Sequence, residues 1–350
     1  MDIGSLLAAL ALGFVAGVIG AGVGGAALLG FALVRASDLH DEVLDRIRAM
    51  KPYQLSDELE KFLHDQSTVG AAAWNRLFDE TMSSLEFQVA GKTMAVEQAL
   101  NLLQDVDRNI REEAAAEINR VLSANARTFT LITNALAKDK EISDRWRGFE
   151  DIADSRHLAN RVEREVVDAL VEAVQDSFPN LSHRYYSMKA KWLNLDVMEH
   201  WDRNAPLPIQ VDKVISWKEA QNTVLDAYRG FSPKMAEIAG RFFDHDWIDA
   251  PVRKGKSPGA FAHPTVPSAH PYVLLNYLGK PRDVMTLAHE LGHGVHQVLA
   301  GTQGALMAQT PLTLAETASV FGEMLTFQAM LDRAQTPAER KILLAGKVED

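Results

Sequence analysis

The chain contains no cysteine among its 350 residues. Disulfide bonds are therefore excluded, and a metal site must use histidine and carboxylate ligands. The absence also fits a reducing compartment, so we expect a cytoplasmic location. Basic residues are fewer than acidic ones: the chain has 36 Lys and Arg and 47 Asp and Glu, so its formal net charge is −11. An acidic surface repels phosphate backbones, so we expect no nucleic-acid partner.

The first stretch of the chain lacks charged residues altogether between Ile3 and Val34. Such a run is long enough to span a bilayer. Asp2 precedes it, where a secretory signal peptide would carry a basic residue, and Arg35 follows it. A membrane anchor over residues 3–34 is therefore predicted, with the rest of the chain on the cytoplasmic side.

Two other interpretations of residues 1–35 stay open. Residues 20–25 read GAGVGG, which matches the GxGxxG loop that brings backbone N–H groups to a dinucleotide pyrophosphate. No alternation of strands and helices follows to complete such a fold, and glycines in an apolar segment also suit close helix packing. Alternatively, the segment is foreign to the natural protein.

Beyond residue 35 the chain divides into two predicted domains. Residues 36–205 form a helical domain, because apolar residues recur there at spacings of three and four between charged residues. A break over residues 87–94 indicates a short hairpin within it. Residues 206–350 form a second domain that begins rich in proline. In this domain we predict a strand over Tyr272–Tyr277 and helices over residues 284–300 and 311–334.

The C-terminal residues predict one more helix, which begins with a capping box over Thr336–Glu339. The chain stops at Asp350, a few turns later and without a capping residue. We therefore expect an incomplete chain.

The second domain contains the pattern HExxH at residues 289–293. A helix turns by about 100° per residue, so His289 and His293 project from the same side, with Glu290 close beside them. Apolar residues on roughly the opposite side would anchor the helix in the core: Val284, Leu287, Leu291, Val295 and Val298. Neutral imidazoles suit Zn²⁺, and a catalytic zinc keeps a position open for water, from which Glu290 would take a proton. This spacing is typical of HExxH metallopeptidases.

The pattern alone does not establish a metal site, since HExxH also arises by chance on helix surfaces. The apolar opposite face, Gly292 as a point of close approach and a carboxylate on the next helix favour a metal. That carboxylate, Glu316, is alternatively the end of a capping box that begins at Thr313. His296 lies on the histidine face, either as a rival third ligand or as a buried hydrogen-bonding residue. Glu323 lies on nearly the same face as Glu316 and would orient a ligand histidine.

Longer motifs resemble one peptidase family. The zinc helix of the oligoendopeptidase F branch of the thimet oligopeptidase family closely resembles residues 286–296, TLAHELGHGVH. The second metal helix of that family resembles residues 314–323, LAETASVFGE. Further matches lie at residues 52–58 and 259–262, and the resemblance extends from about residue 38 to the end. It favours Glu316 as a ligand over the capping-box alternative.

The resemblance implies a mainly α fold, a helical clamshell-type zincin with a small β element beside the active-site helix. It implies one Zn²⁺ held by His289, His293 and Glu316, with Glu290 as the base. It also implies that Ala260-Phe261-Ala262 pairs with the backbone of a short peptide substrate, a form of β-strand addition.

Members of this family have additional N-terminal and C-terminal regions, and the C-terminal region bears His and Tyr residues that bind substrate. We therefore expect this chain to bind zinc and to be a weak or inactive peptidase. The alternative is a non-catalytic, membrane-anchored remnant that binds peptides or a partner.

Overall fold

The structure is a computed structural model that describes residues 41–209 and 214–349. It is mainly helical, as predicted, with 66% of the residues in helices. The predicted membrane anchor and the glycine motif at residues 20–25 lie outside the described residues. Within the described ranges, no helix combines the length and apolar character that crossing a bilayer requires.

The described helices and strands follow one another along the chain. The helices are α1 (Asp41–Met50), α2 (Asp57–Ser67), α3 (Ala71–Ser84), α4 (Val96–Leu102), α5 (Arg108–Ala124), α6 (Ala126–Arg147), α7 (Asp154–Asn160), α8 (Arg164–Ser177), α9 (Ser182–Trp192), α10 (Trp217–Phe231), α11 (Pro233–Asp244), α12 (Pro281–Gly301), α13 (Leu312–Arg333) and α14 (Pro337–Glu349). The strands are β1 (Phe87–Val89), β2 (Lys92–Met94), β3 (Ile248–Asp249), β4 (Phe261–His263) and β5 (Tyr272–Leu274). Short 3₁₀ turns lie at Lys51–Tyr53 and His200–Asp202.

The chain forms two compact units, and neither is one continuous stretch. Among the described residues, the first unit comprises residues 41–87 and 116–170, and the second comprises residues 88–115, 171–209 and 214–349. The predicted boundary between residues 205 and 206 does not coincide with this division, and the predicted domains stay a prediction. One contact crosses that boundary, since Lys189 binds Glu349. Arg111 binds Asp202 and so joins residues 88–115 to residues 171–205 within the second unit.

The first unit is held by polar and aromatic contacts between distant segments. Arg147, on the last turn of α6, donates hydrogen bonds of 2.6 and 2.9 Å to the Glu60 carboxylate on α2. Phe149 stacks on Tyr53 with ring centroids 4.1 Å apart. Because guanidinium and carboxylate meet in a two-pronged contact, α2 and α6 are fixed in orientation as well as in distance.

The predicted hairpin over residues 87–94 is confirmed by the pairing of β1 with β2. Ala90 and Gly91 connect the strands with φ angles of 50° and 72°. Two consecutive left-handed residues are what a tight two-residue hairpin requires.

The core of the second unit lies between α10, α11, α12, α13 and the three-stranded sheet. The apolar face of α12 lies in this core, as its spacing predicts: Val284, Leu287 and Leu291 are fully buried. The two predicted helices are present, over Pro281–Gly301 and Leu312–Arg333. The predicted capping box at Thr336 is also formed, because the Glu339 N–H donates to Thr336 Oγ1 at 3.2 Å and the Thr336 N–H donates to Glu339 Oε2 at 3.1 Å.

The small sheet has the strand order β3-β5-β4. Strand β3 is parallel to β5, and β4 is antiparallel to it with Ala262 opposite Val273. The predicted strand over residues 272–277 is shorter and ends at Leu274. Beyond it, the N–H groups of Leu275 and Tyr277 still donate to Asp249 and Ala250, at 3.0 Å each.

Candidate metal centre

Helices α12 and α13 are in direct backbone contact at two glycines. A Cβ atom on Gly292 would lie 2.8 Å from the Ala318 carbonyl oxygen and 2.8 Å from Ser319 Cα. A Cβ atom on Gly322 would overlap the Tyr228 hydroxyl, which itself donates a 2.5 Å hydrogen bond to the Ala288 carbonyl. The close approach predicted at Gly292 is therefore confirmed, and it brings the next helix to the histidines.

The three predicted ligands lie together. Glu316 Oε2 lies 3.3 Å from His289 Nε2 and 3.4 Å from His293 Nε2. The candidate ligand atoms of these three residues are all within 4.8 Å of one another. Across residues 41–209 and 214–349, no other group of three or more histidine and acidic side chains converges in this way. Two imidazoles and one carboxylate form a donor set that suits Zn²⁺ and leaves a coordination position open.

The side chains around the three donors restrict their orientation. Glu323 Oε2 lies 3.2 Å from His289 Nδ1, where the imidazole N–H donates to the carboxylate. Ser319 Oγ lies 2.8 Å from Glu316 Oε2 and donates to it. The first contact orients the His289 ring and the second orients the Glu316 carboxylate, so that His289 Nε2 and the carboxylate point toward each other.

Two alternatives from the sequence can be compared with this geometry. Helix α13 begins after Pro311, so Thr313 lies inside the helix and does not cap it. Glu316 is therefore not the end of a capping box. His296 is partly buried and does not belong to the converging group. Burial lowers its pKa, and its predicted role as a neighbouring hydrogen-bonding residue stays a prediction.

Glu290 is the most unusual carboxylate of the centre. Its side chain is buried, and its Oε2 atom has no hydrogen-bond partner among the described residues. Burial raises the pKa of Glu290 to about 7, although the charge of His289 acts in the opposite direction. A buried carboxylate whose pKa lies near neutrality and whose oxygen is unpaired is suited to accept a proton from a reacting water.

The two histidines differ in their surroundings. Burial alone lowers the pKa of His289, but the hydrogen bond to Glu323 and the charges of Glu290 and Glu316 raise it above its ordinary value. Burial lowers the pKa of His293 in spite of the Glu316 charge. The neutral form that binds metals is therefore favoured at His293, whereas the carboxylates around His289 favour its protonated form.

The predicted substrate strand, Ala260-Phe261-Ala262, lies partly in β4 at the edge of the described sheet. The N–H groups of Val273 and Leu275 donate to the carbonyls of Trp247, which precedes β3, and of Asp249 in β3. The backbone groups of Leu274, between them, therefore face β4. By the antiparallel register, the N–H and C=O of Ala262 then point away from β5. The Ala262 carbonyl accepts a 3.3 Å hydrogen bond from Gln297 Nε2 of α12.

Sequence reasoning did not identify Gln297 or Ser319 as parts of the centre. Gln297 follows His293 by four residues and thus continues the line of His289 and His293 along the helix. Ser319 follows Glu316 by three residues, which also places both on one helix face. Helical spacing from the predicted ligands was the available signal in both cases.

A pair of helices that directs two imidazoles and a carboxylate to one point is the arrangement of a metallopeptidase. Comparison with protein families agrees with it. The model described as "Peptidase family M3" matches residues 101–349, and the model described as "Oligopeptidase F" matches residues 38–87. The chain belongs to peptidase family M3.

Curated relatives extend the comparison to individual proteins. Oligopeptidase PepF of Bacillus subtilis is 24% identical over 318 residues, which cover 89% of this chain and 47% of that protein. Group B oligopeptidase PepB of Streptococcus agalactiae is 26% identical over 312 residues, which cover 87% of this chain and 51% of that protein. The chain therefore spans about half the length of these relatives.

Solved structures share the fold. PZ peptidase A, solved with an inhibitor, has a TM-score of 0.75 at 14% identity, over 91% of this chain and 58% of that one. Oligoendopeptidase F from Enterococcus faecium has a TM-score of 0.57 at 19% identity, over 88% of this chain and 49% of that one. At these identities the similarity establishes the fold.

Proposed function

We propose that the protein is a zinc-dependent oligopeptidase that hydrolyses peptide bonds in short peptides. The observation that carries the proposal is the convergence of Glu316 Oε2 on the Nε2 atoms of His289 and His293, at 3.3 and 3.4 Å. Membership of a peptidase family supports the reaction, and the absence of cysteine supports a cytoplasmic location.

His289, His293 and Glu316 would hold the ion. When bound, zinc supplies a Lewis acid for the scissile carbonyl and lowers the pKa of water. Glu290 takes the proton of the attacking water at its unpaired Oε2 and delivers it to the leaving nitrogen. Glu323 and Ser319 hold the His289 ring and the Glu316 carboxylate in orientation through their hydrogen bonds.

The edge strand β4 supports a mode of substrate binding. An extended peptide that adds to this edge would pair with the outward C=O of Ala262, whose N–H already hydrogen-bonds the Glu290 carboxylate. Gln297 donates a hydrogen bond to the Ala262 carbonyl in the free protein. A bound peptide would replace this hydrogen bond with one from its own backbone N–H. Because backbone groups make the contact, this mode selects for an extended conformation rather than for particular side chains.

The decisive experiment combines metal content with peptide cleavage. Purified protein is expected to contain about one zinc per chain and to cleave quenched fluorescent peptides in a chelator-sensitive way. Glu290→Gln should retain zinc and lose about 10²- to 10⁴-fold in cleavage rate, the usual contribution of an acid–base group. Glu316→Gln serves as the matched control, since it should lose zinc affinity as well.

Two outcomes contradict the proposal. Undiminished cleavage by Glu290→Gln would exclude this residue as the base. A wild-type protein that binds zinc stoichiometrically and cleaves no peptide would favour a non-catalytic peptide-binding remnant instead.

A further inference from the structure

Lys347, on the C-terminal helix α14, reaches the surroundings of the metal centre. Its Nζ atom binds Glu323 Oε1, while the other oxygen of the same carboxylate, Oε2, lies 3.2 Å from His289 Nδ1. The side chains of Glu323 and Lys347 are 9% and 26% exposed, so the contact is largely shielded from water. Side chains of three helices thus contact one another in turn: Lys347 of α14, Glu323 of α13 and the candidate ligand His289 of α12.

These two contacts restrict the orientation of the Glu323 carboxylate, because each of its oxygens has a partner. A carboxylate with one partner can rotate about its terminal torsion, which is broad for glutamate. With an ammonium group on Oε1, Oε2 stays directed at the imidazole and accepts from Nδ1–H. That hydrogen bond selects the tautomer of His289 whose Nε2 has a free lone pair, the form that a metal requires.

Helix α14 has a second anchor that leads away from the centre. Glu349 accepts a 2.6 Å hydrogen bond from the Tyr185 hydroxyl and also binds Lys189, both on α9. Lys347 and Glu349 lie two residues apart, so they belong to the same end of the helix but have different partners. Glu349 therefore attaches the helix end to α9, and Lys347 contacts Glu323. The two contacts can be removed one at a time by substitution.

We propose that Lys347 is a positioning residue for the metal ligand His289, acting through the Glu323 carboxylate. The inference rests on the proposed function, because it takes zinc as the ion that His289 binds. Its contribution is orientational: the lysine holds the carboxylate, the carboxylate holds the ring, and the ring presents Nε2.

The test measures the zinc dissociation constant of the full chain by competition with a chromophoric chelator. Lys347→Met should weaken zinc binding by about 3- to 10-fold, less than the roughly 10- to 100-fold typical of a group that bonds a ligand directly. Lys347→Arg keeps the charge and a donor, and should stay within about twofold of the wild type. Glu349→Gln is the matched control, since it loosens the same helix end and should leave zinc affinity unchanged.

A double variant separates positioning from an additive effect. In a chain that already carries Glu323→Gln, adding Lys347→Met should cause no further loss of zinc affinity, because the proposed effect of the lysine passes through the Glu323 carboxylate. The inference is overturned if Lys347→Met binds zinc as the wild type does, or if Glu349→Gln or Lys347→Arg weakens binding as much as Lys347→Met. A wild-type chain that binds no zinc overturns the proposed function and the inference with it.

Discussion

Two charged clusters of the second unit are built differently. In one, the Asp202 carboxylate is fully buried and accepts hydrogen bonds from Arg108, Arg111 and the Glu199 N–H, at 2.8 to 3.1 Å. In the other, Glu290 and Glu316 lie beside imidazoles, and no Lys or Arg of the described residues forms an ion pair with either. In the first cluster the carboxylate is fully paired and only the Arg111 Nε donor is left over, whereas in the second the unpaired atom is the acceptor Oε2 of Glu290.

The difference separates a structural cluster from a functional one. Removing one partner of a buried ion pair is strongly destabilising, because it leaves a buried charge without compensation. A cluster with unpaired acceptors costs stability by itself and has the capacity to bind a cation or a proton. Excess acceptors, rather than burial alone, therefore distinguish the candidate metal centre.

The largest expected effect on stability is at the paired cluster. Asp202→Asn leaves Arg111 buried without its counter-charge, so the free energy of unfolding should fall by about 3 to 5 kcal/mol. Urea unfolding followed by circular dichroism measures the change. The control is Asp226→Asn, which breaks exposed ion pairs with Arg229 and Arg333 and should cost less than about 1 kcal/mol. Equal losses in the two variants would contradict the comparison.

The next largest effect is the pH dependence of the stability that Asp202 contributes. Burial alone raises the pKa of Asp202, but the hydrogen bonds from Arg108 and Arg111 lower it to about 2, against an ordinary value of 3.8. Because the folded pKa lies below the unfolded one, the stabilisation is present above pH 3.8 and is lost as the pH falls toward 2. The stability difference between wild type and Asp202→Asn should thus shrink by about 2 kcal/mol over this range. A difference that is constant with pH would show that the carboxylate charge is not involved.

The smallest effect is expected at the unpaired cluster. Glu290→Gln, in chelator-treated protein at neutral pH, should change the free energy of unfolding by at most about 1 kcal/mol. The substitution removes a buried charge whose Oε2 atom has no hydrogen-bond partner, and the amide oxygen of the glutamine can still accept from the Ala262 N–H. The same urea titration measures this change. A loss as large as that of Asp202→Asn would mean that the charge of Glu290 stabilises the fold, and the distinction between the clusters would fail.

Much of the fold around the centre could be predicted from the sequence. Residues 284–300 and 311–334 were predicted to be helical, and the helices are Pro281–Gly301 and Leu312–Arg333. Apolar period, proline at a helix start and the capping box at Thr336 are local signals, because they depend on residues within one or two turns. The strand from Tyr272 was predicted too long, since its end depends on where β4 stops pairing.

Contacts between distant segments were not predictable in the same way. Residues 88–115 and 171–205 belong to the same unit although they are distant in sequence, and the contact between Arg111 and Asp202 joins them. The sequence separation of that pair is 91 residues, and no periodic pattern relates them. Lys347 was likewise unpredicted, because its partner Glu323 lies on a different helix.

The sequence by itself determined that two imidazoles project from one side of a helix, because the α-helical repeat is a local property of the backbone. It also determined the glycine at 292 that admits a neighbour. Only the tertiary structure decided that Ser319 packs against that glycine and that Glu316 consequently reaches both histidines. The distance between two helices depends on the packing of all the side chains between them, which no single stretch of sequence encodes.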